Sequence, residues 1–302
     1  MLIACATDRR YVEMTGVLIR SIASLHGREE CAVVVYGARL TARDAERLRA
    51  CAGNAIGVTV HALTREMLAT LSALPTARHL TDTAYTLLAL PDLVGNHVGP
   101  GAGAGRIVCL DSDMVVQRRL DPLFTMDLDE HVVAAVPMED TGAYLARSNA
   151  EIGRPASTPF FNSGVLVVDR YRWRERDVTA RALRYARERT QPIIHHDQAV
   201  LNAVIGGDWR PLGPEWNVGV RGLTGPECDA AAILHYKGRI KPFHADFSGA
   251  ALAAYERNRA GTPFAAARRI GGWERSTAKR VGIATARLRR AWDRARARWV
   301  HE

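Results

Sequence analysis

Short apolar runs alternate along most of the chain with segments whose apolar residues recur at helical spacing. The runs predict strands at 1–6, 31–36, 56–62, 106–110, 114–116, 132–136, 164–168 and 230–235. Helical spacing is found at 11–25, from Thr41 onward, and at 65–71, 82–90, 177–189 and 197–205. Alternating strands and helices are typical of βαβ units, so we predict an α/β protein with a mainly parallel, doubly wound sheet.

Two long segments show neither pattern. Residues 138–159 are polar, and residues 206–227 are rich in glycine and proline. We predict that both are irregular and that they shape a binding pocket. Pro91 is predicted to end the helix that precedes it.

The composition is that of a globular protein. The chain has 302 residues, 47% hydrophobic and 24% charged, which suits one α/β domain or two smaller ones. No stretch approaches the roughly 18 apolar residues that cross a membrane, and the apolar start is too short for a signal peptide. The five cysteines are scattered and lack metal-ligand spacing. We therefore expect a reduced, cytoplasmic location.

The positive charge is concentrated at the C-terminus. Residues 265–302 contain 11 basic and 3 acidic side chains, whereas residues 1–264 contain 30 and 29. Leu288, Trp292 and Trp299 fall on one face of a helix predicted from Ala278. A basic amphipathic helix with tryptophans favours an anionic membrane surface, and a terminal helix packed on the body is the alternative. Nucleic-acid binding is disfavoured because the near-neutral body offers no basic groove.

A pair of carboxylates follows a buried strand at Asp111-Ser112-Asp113. Ligands of open α/β sheets bind beyond the carboxyl ends of strands. Carboxylate oxygens suit Mg²⁺ or Mn²⁺, ions that keep open positions for substrate phosphates. An Asp-x-Asp also occurs in ordinary turns, where aspartate bonds its own backbone.

Two further polar segments adjoin predicted strands. Asp8 ends the first strand, where it either caps the next helix or contacts a ligand. The segment Asn162-Ser163-Gly164 precedes another strand, where it is either a plain turn or a place at which backbone approaches a ligand closely.

Two more polar segments come later in the chain. Asp197 and Gln198 open a helix, whose free N–H groups favour anions, although Asp197 is equally suited to a capping role. His235 and Lys241 follow the last strand. A lysine there can neutralise phosphate, and a histidine nitrogen can complete a carboxylate-rich Mn²⁺ site.

Taken together, these motifs resemble those of the retaining glycosyltransferases of family 8, which include bacterial lipopolysaccharide galactosyl- and glucosyltransferases and glycogenin. The resemblance covers about residues 1–247. It is carried by five motifs in the family's order, namely Ala6-Thr7-Asp8, Leu110-Asp111-Ser112-Asp113, Phe161-Asn162-Ser163-Gly164-Val165, His196-Asp197-Gln198 and His235-Tyr236-Lys237-Gly238 with Lys241-Pro242-Phe243.

The resemblance implies a GT-A fold, a Rossmann-like sheet flanked by helices, with a catalytic domain at 1–247 and a basic helical tail at 248–302. It implies that Asp111, Asp113 and His235 bind Mn²⁺, with Mg²⁺ as the alternative, and that the metal bridges the diphosphate of a UDP-hexose. It places Asn162, Asp197 and Gln198 around the donor sugar. The other donor-binding residues that it implies are Ala6, Thr7, Asp8, Tyr85, Ser112, Ser163, Gly164, Gly238 and Lys241.

The resemblance also implies the reaction. Family members transfer a hexose to a hydroxyl acceptor with retention, by front-side attack within an ion pair, which makes Gln198 a stabiliser of positive charge and not a nucleophile. Members with basic, aromatic tails act on lipid-linked acceptors, so we expect peripheral attachment to the inner face of the cell membrane.

One position departs from the family's pattern. The family has Tyr-x-Arg-Leu before the Asp pair, but here the segment is Tyr85-Thr86-Leu87-Leu88, with Arg78 or His79 as possible substitutes for the missing arginine. The departure leaves the donor hexose open. Two alternative functions remain at this stage, a non-catalytic sugar-nucleotide-binding protein and a nucleotidyltransferase.

Overall fold

The computed structural model describes residues 1–72, 74, 85–95, 105–138, 142–189 and 196–271. The amphipathic helix predicted from Ala278 lies outside the described residues, as do Arg78 and His79.

The described residues form two sheets. The strands are β1 (Leu2–Asp8), β2 (Ala32–Ala38), β3 (Gly57–Ala62), β4 (Arg106–Leu110), β5 (Met114–Val116), β6 (Val133–Pro137), β7 (Phe161–Asp169), β8 (Trp209–Pro211), β9 (Val218–Gly219) and β10 (Ile233–His235). The large sheet has the order β3-β2-β1-β4-β7-β6-β8, and the small one β5-β10-β9. Strands β1 to β4 of the large sheet are parallel, whereas β7 is antiparallel to both β4 and β6. The predicted α/β class with a mainly parallel sheet is confirmed.

Helices cover both faces of the large sheet. They are α1 (Val12–Ala23), α2 (Ala42–Cys51), α3 (Arg65–Ser72), α4 (Leu90–Gly95), α5 (Asp121–Thr125), α6 (Ala143–Glu151), α7 (Arg170–Glu175), α8 (Val178–Arg187), α9 (His196–Ile205), α10 (Gly225–Ala230) and α11 (Ala251–Ala260). No helix among the described residues is long and apolar enough to cross a membrane.

The central strands are buried on both faces because helices cover the sheet on each side. Side chains alternate along β1, so Ala4 joins one apolar cluster and Ile3 and Cys5 join the other. This double burial explains why the central strands read as continuous apolar runs in the sequence.

Helix α2 begins at the position that the sequence predicts. Thr41 accepts a hydrogen bond from the backbone N–H of Asp44, whose carboxylate accepts one from the backbone of Thr41. This reciprocal pair satisfies two backbone donors at the helix start.

Three local predictions are wrong. The segment 138–159 contains α6, and the segment 206–227 contains β8, β9 and the start of α10. The parallel pairing of β8 with β6 and the burial of Trp209 organise the second segment, and these are tertiary contacts with no local sequence pattern. Pro91 lies in the first turn of α4, where its missing N–H costs no helical hydrogen bond.

Residues beyond 247 pack on the body of the protein. The Tyr255 hydroxyl donates to Glu13 Oε1 at 2.6 Å, and Arg259 Nε donates to the same oxygen at 2.8 Å. A Cβ on Gly16 of α1 would lie 2.7 Å from the ring of Phe264, so helix and ring are in close contact. The division of the chain at 247/248 stays a prediction, but residues 251–264 contribute to the core.

The pairing of Glu13 with Arg259 predicts a graded loss of stability. Glu13→Gln leaves the buried Arg259 guanidinium without its charged partner on α1 and should lower the free energy of unfolding by about 1–3 kcal/mol. Tyr255→Phe removes one hydrogen bond to the same carboxylate and should cost about 0.5–1.5 kcal/mol. Urea unfolding of both variants measures the difference, and an equal or larger loss in Tyr255→Phe would contradict this assignment.

Candidate active site

The Asp pair lies where the chain passes from the large sheet to the small one. Strand β4 ends at Leu110, and β5 begins at Met114 as a strand of the other sheet. The backbone N–H of Asp111 donates to the Gly164 carbonyl at 2.9 Å. The carbonyl of Asp113 accepts from the Tyr236 N–H at 2.9 Å. The break between the two strands is therefore held from both sides.

The structure brings Asp111, Asp113 and His235 together. Each offers one ligand atom, and these atoms lie within 4.8 Å of one another. His235 Nε2 is 3.5 Å from Asp111 Oδ2 and 3.3 Å from Asp113 Oδ1. The imidazole is buried, whereas the Asp111 side chain is 40% exposed and opens the cluster to solvent. Two carboxylates and one imidazole nitrogen fit a divalent cation of the Mn²⁺ type.

Lys241 adds a buried ammonium to this cluster. Its Nζ is 2.5 Å from Asp113 Oδ2 and donates to the Tyr236 carbonyl at 2.7 Å. Burial lowers the pKa of Lys241, but the nearby Asp113 carboxylate more than compensates and raises this pKa above its usual value. The lysine therefore remains charged at neutral pH beside the Asp pair, and its contact with phosphate stays a prediction.

The two aspartates differ in their ionisation. Desolvation of the partly buried carboxyl group raises the pKa of Asp111 to about 7, despite the opposing effect of His235. Burial acts on Asp113 in the same direction, but Lys241 and His235 hold its pKa below the ordinary range. Asp113 is thus a permanent carboxylate, and cation binding would draw the proton from Asp111.

The three polar residues predicted to surround the donor sugar lie close together, and Ser163, another predicted donor-binding residue, joins them. Asn162 Nδ2 donates to Gln198 Oε1 at 2.8 Å, and the Ser163 hydroxyl donates to Asp197 Oδ2 at 3.1 Å. These contacts join the start of β7 to the first turn of α9. Burial raises the pKa of Asp197 to about 7, and the hydrogen bond from Ser163 offsets only part of this rise.

Gly164 permits the close approach of a side chain. A Cβ at this position would lie 2.6 Å from His235 Cε1 and 2.9 Å from its Nδ1. Any larger residue would displace the imidazole from the Asp pair. The glycine that the sequence suggested as a place of close ligand approach thus makes room for the imidazole of His235. Gly238 has a different role, because its φ of +98° is a backbone conformation that residues with a Cβ rarely adopt.

The predicted nucleotide-side residues lie at the end of β1. Asp8 Oδ1 accepts from the backbone N–H of Arg10 at 2.7 Å, so one of its oxygens is used in the turn into α1. The Thr7 hydroxyl bonds that of Thr15 at 2.6 Å. Ala6 lies on β1 and is partly buried. Ser112, which lies between the two aspartates, is also partly buried.

The segment at 85–88 packs into the core. Tyr85 is 1% exposed, and its ring meets His196 edge-on at 6.3 Å, which places it beside the start of α9. Leu87, the position that departs from the family's arginine, is buried in an apolar cluster. Leu87 itself brings no charge to this segment.

Sequence reasoning missed two residues of the site. The Tyr11 ring lies 5.6 Å from Lys241 Nζ and brings the start of α1 to the cluster. Asn217, only 3% exposed, bonds both His235 and Asn162. Tyr11 could have been found from the sequence, because it is an aromatic residue close to the end of β1. Asn217 falls in a segment without a recognisable pattern.

The raised pKa of Asp197 predicts a pH-dependent stability. Its pKa of about 7 exceeds the ordinary value of 3.8, so folding favours the protonated acid, and that contribution is lost as the pH rises through 7. Asp197→Asn should therefore lose less thermal stability than the parent protein between pH 5 and pH 8. Thermal unfolding in EDTA measures this, and equal losses in the two proteins would show that Asp197 titrates normally.

Comparison with known proteins places the chain in a family. Residues 2–246 match the family described as "Glycosyl transferase family 8". General stress protein A of Bacillus subtilis is 24% identical over 261 residues, which are 81% of this chain and 87% of the relative. The lipopolysaccharide 1,3-galactosyltransferase of Salmonella typhimurium is 22% identical over 253 residues, 80% of this chain and 72% of the relative.

Solved structures share the fold. The galactosyltransferase LgtC, crystallised with donor and acceptor sugar analogues, superposes with a TM-score of 0.69 at 20% identity and covers 87% of this chain and 96% of its own. The bifunctional glycosyltransferase WbbM superposes with a TM-score of 0.70 at 19% identity, over 88% of this chain and 50% of its own. The chain therefore belongs to glycosyl transferase family 8 and is a glycosyltransferase with the GT-A fold.

Proposed function

We propose that the protein is a retaining hexosyltransferase that moves a hexose from UDP-galactose or UDP-glucose to a hydroxyl of a carbohydrate or lipid-linked acceptor, with Mn²⁺ as its metal. The observation that carries this proposal is the cluster of Asp111, Asp113 and His235 beside the buried ammonium of Lys241. Two carboxylates, one imidazole and one cationic side chain suit a metal-bound diphosphate. The structure of LgtC with donor and acceptor analogues supports the same pairing of substrates.

Positive charge at the cluster would stabilise the UDP that leaves in the reaction. Breaking the bond between the anomeric carbon and the phosphate oxygen leaves negative charge on UDP. A cation held by Asp111, Asp113 and His235 would supply Lewis-acid stabilisation of that charge. Lys241, already charged and already at the cluster, donates hydrogen bonds to the same phosphate oxygens.

Polar groups opposite the cluster support the sugar. As the bond breaks, the anomeric carbon gains positive charge, and the carboxylate of Asp197 and the amide oxygens of Asn162 and Gln198 stabilise it. The acceptor oxygen then bonds to the anomeric carbon on the face that UDP leaves, and its proton passes to the leaving phosphate oxygen. Gln198 Oε1 accepts from two donors, Asn162 Nδ2 at 2.8 Å and the Ser163 N–H at 3.4 Å. These two bonds hold the dipole of the Gln198 amide in one direction.

Of the two alternative functions, one is excluded and one remains to be tested. Because the family match is to glycosyl transferases, the nucleotidyltransferase hypothesis is wrong. A sugar-nucleotide-binding protein without turnover keeps one point in its favour, the apolar burial of Leu87 where the family carries arginine. The first experiment separates it from the proposed enzyme.

Asp113→Asn tests the proposed chemistry. The substitution removes the permanent carboxylate of the cluster and should lower Mn²⁺-dependent UDP release by about 100-fold or more. The measurement is UDP release from a panel of UDP-sugars, with the exposed Asp229→Asn as a matched control that should keep full activity. The panel also identifies the donor hexose that Leu87 leaves open.

Two outcomes would contradict the proposal. Tight binding of a UDP-sugar by the parent protein without UDP release would favour the binding protein. Equal rates for Asp113→Asn and Asp229→Asn would remove the metal cluster from the reaction.

The basic tail is proposed to attach the enzyme to an anionic membrane surface. The last described residues contact the segment that follows Lys241, because the Ile270 N–H donates to the Phe243 carbonyl at 2.7 Å. The last described residue, Gly271, therefore lies near the segment that carries Lys241. A surface-bound tail would keep the site close to lipid-linked acceptors.

Charge neutralisation in the tail tests this attachment. Replacing Arg289, Arg290 and Arg294 with glutamine should weaken binding to vesicles that contain anionic lipid by about 100-fold, since each basic residue contributes about 1 kcal/mol near such a surface. Lysine at the same three positions should preserve binding. Vesicle sedimentation measures both variants, and unchanged binding of the glutamine variant would exclude an electrostatic anchor.

A further inference from the structure

Asn217 connects the metal cluster to the residues around the sugar. It lies just before β9 and is 3% exposed. Its Oδ1 is 2.8 Å from His235 Nδ1, and its Nδ2 donates to Asn162 Oδ1 at 2.6 Å. Both polar atoms of the amide are therefore used in the interior.

A backbone donor fixes the direction of these bonds. The Gly164 N–H lies 3.0 Å from Asn162 Oδ1, and a backbone N–H can only donate, so this atom of Asn162 is the amide oxygen. The group of Asn217 that faces it must then be the NH₂. The remaining atom of the Asn217 amide, which faces His235, is consequently its oxygen.

The oxygen of Asn217 in turn fixes the position of a proton on His235. Since the oxygen of Asn217 can only accept, His235 Nδ1 must carry a hydrogen. In the neutral imidazole the lone pair then lies on Nε2, the nitrogen 3.3 Å from Asp113 Oδ1 and 3.5 Å from Asp111 Oδ2. This is the form of the ring that can bind a cation between the two carboxylates.

A second backbone donor fixes the other end of the chain of hydrogen bonds. The Ser163 N–H donates to Gln198 Oε1 at 3.4 Å, so this atom is an oxygen and accepts from Asn162 Nδ2 as well. Two adjacent backbone groups of β7, those of Ser163 and Gly164, thus orient four side chains, namely His235, Asn217, Asn162 and Gln198.

We propose that Asn217 is a positioning residue that holds His235 as the Nδ1-protonated tautomer and so keeps Nε2 free for the metal. Without the Asn217 oxygen, Nδ1–H loses its acceptor, and the ring is no longer held in the tautomer that leaves Nε2 without a hydrogen. A proton on Nε2 would occupy the lone pair that the metal needs. The inference rests on the proposed metal site, and it extends that site to a residue outside the ligand set.

Two variants at this position separate positioning from packing. Asn217→Leu removes the acceptor for Nδ1–H and should weaken Mn²⁺ binding by about 10–100-fold, the usual effect of losing the partner of a metal-ligating histidine. Asn217→Asp retains an acceptor for Nδ1–H but cannot donate to Asn162, so it should bind Mn²⁺ within about threefold of the parent protein. Electron paramagnetic resonance of free Mn²⁺, without any nucleotide, measures both, and thermal unfolding reports their folding.

Nitrogen NMR of labelled histidine reads the tautomer directly in the metal-free protein, with His235→Gln used to assign the signal. The parent protein and Asn217→Asp should show Nδ1 protonated, and Asn217→Leu should show a shift of the proton to Nε2. A ring protonated on Nε2 and not on Nδ1 in the parent protein would overturn the inference. So would Mn²⁺ affinity that follows the loss of thermal stability in both variants instead of the tautomer.

Neither readout requires hexose transfer. If the parent protein binds Mn²⁺ but transfers no hexose, the proposed function fails while Asn217 keeps its role. If the parent protein binds no Mn²⁺, the proposed metal site fails, and the tautomer alone decides whether Asn217 positions His235.

Discussion

The ion pair between Lys241 and Asp113 is the interaction on which the site depends. Its atoms are 2.5 Å apart in a buried position, and the ammonium holds the pKa of Asp113 below the ordinary range despite burial. Removal of either partner would leave a buried charge without compensation. The pair also ties the break after β4 to the segment after β10, because Lys241 and the Asp113 carbonyl both bond the backbone of Tyr236. The proposed metal site, the proposed phosphate site and the junction of the two sheets therefore share one contact.

The direction of β7 explains why distant segments meet at this contact. Since β7 runs antiparallel to β4, its beginning lies beside the end of β4, and the Asp111 N–H donates to the Gly164 carbonyl. The sugar-side residues Asn162 and Ser163 thereby reach the edge of the sheet that carries the Asp pair. A parallel strand would have placed its amino end at the opposite edge.

Much of this could be predicted from local pattern, and the rest depends on tertiary contacts. The central strands and the Asp pair that follows one of them could be predicted, because strands buried on both faces appear in the sequence as continuous apolar runs. The start of α2 at Thr41 could be predicted because a capping residue bonds to the backbone of its own helix. Asn217 was missed because its partners, His235 and Asn162, lie far away in the chain. Helix α6 was missed because Gly142, the residue before it, supplies no side-chain cap that would mark its start. The grouping of Asn162 with Gln198 was anticipated only through the family resemblance, since 35 residues separate the two.

The most direct test of the account is a crystal structure with Mn²⁺ and UDP, in which anomalous scattering locates the metal. We predict a metal peak bonded to Asp111, Asp113 and His235 Nε2, with Asn217 Oδ1 still bonded to His235 Nδ1 and the Lys241 ammonium within hydrogen-bond distance of a phosphate oxygen. A metal bound elsewhere, or UDP bound away from β4 and β10, would contradict it.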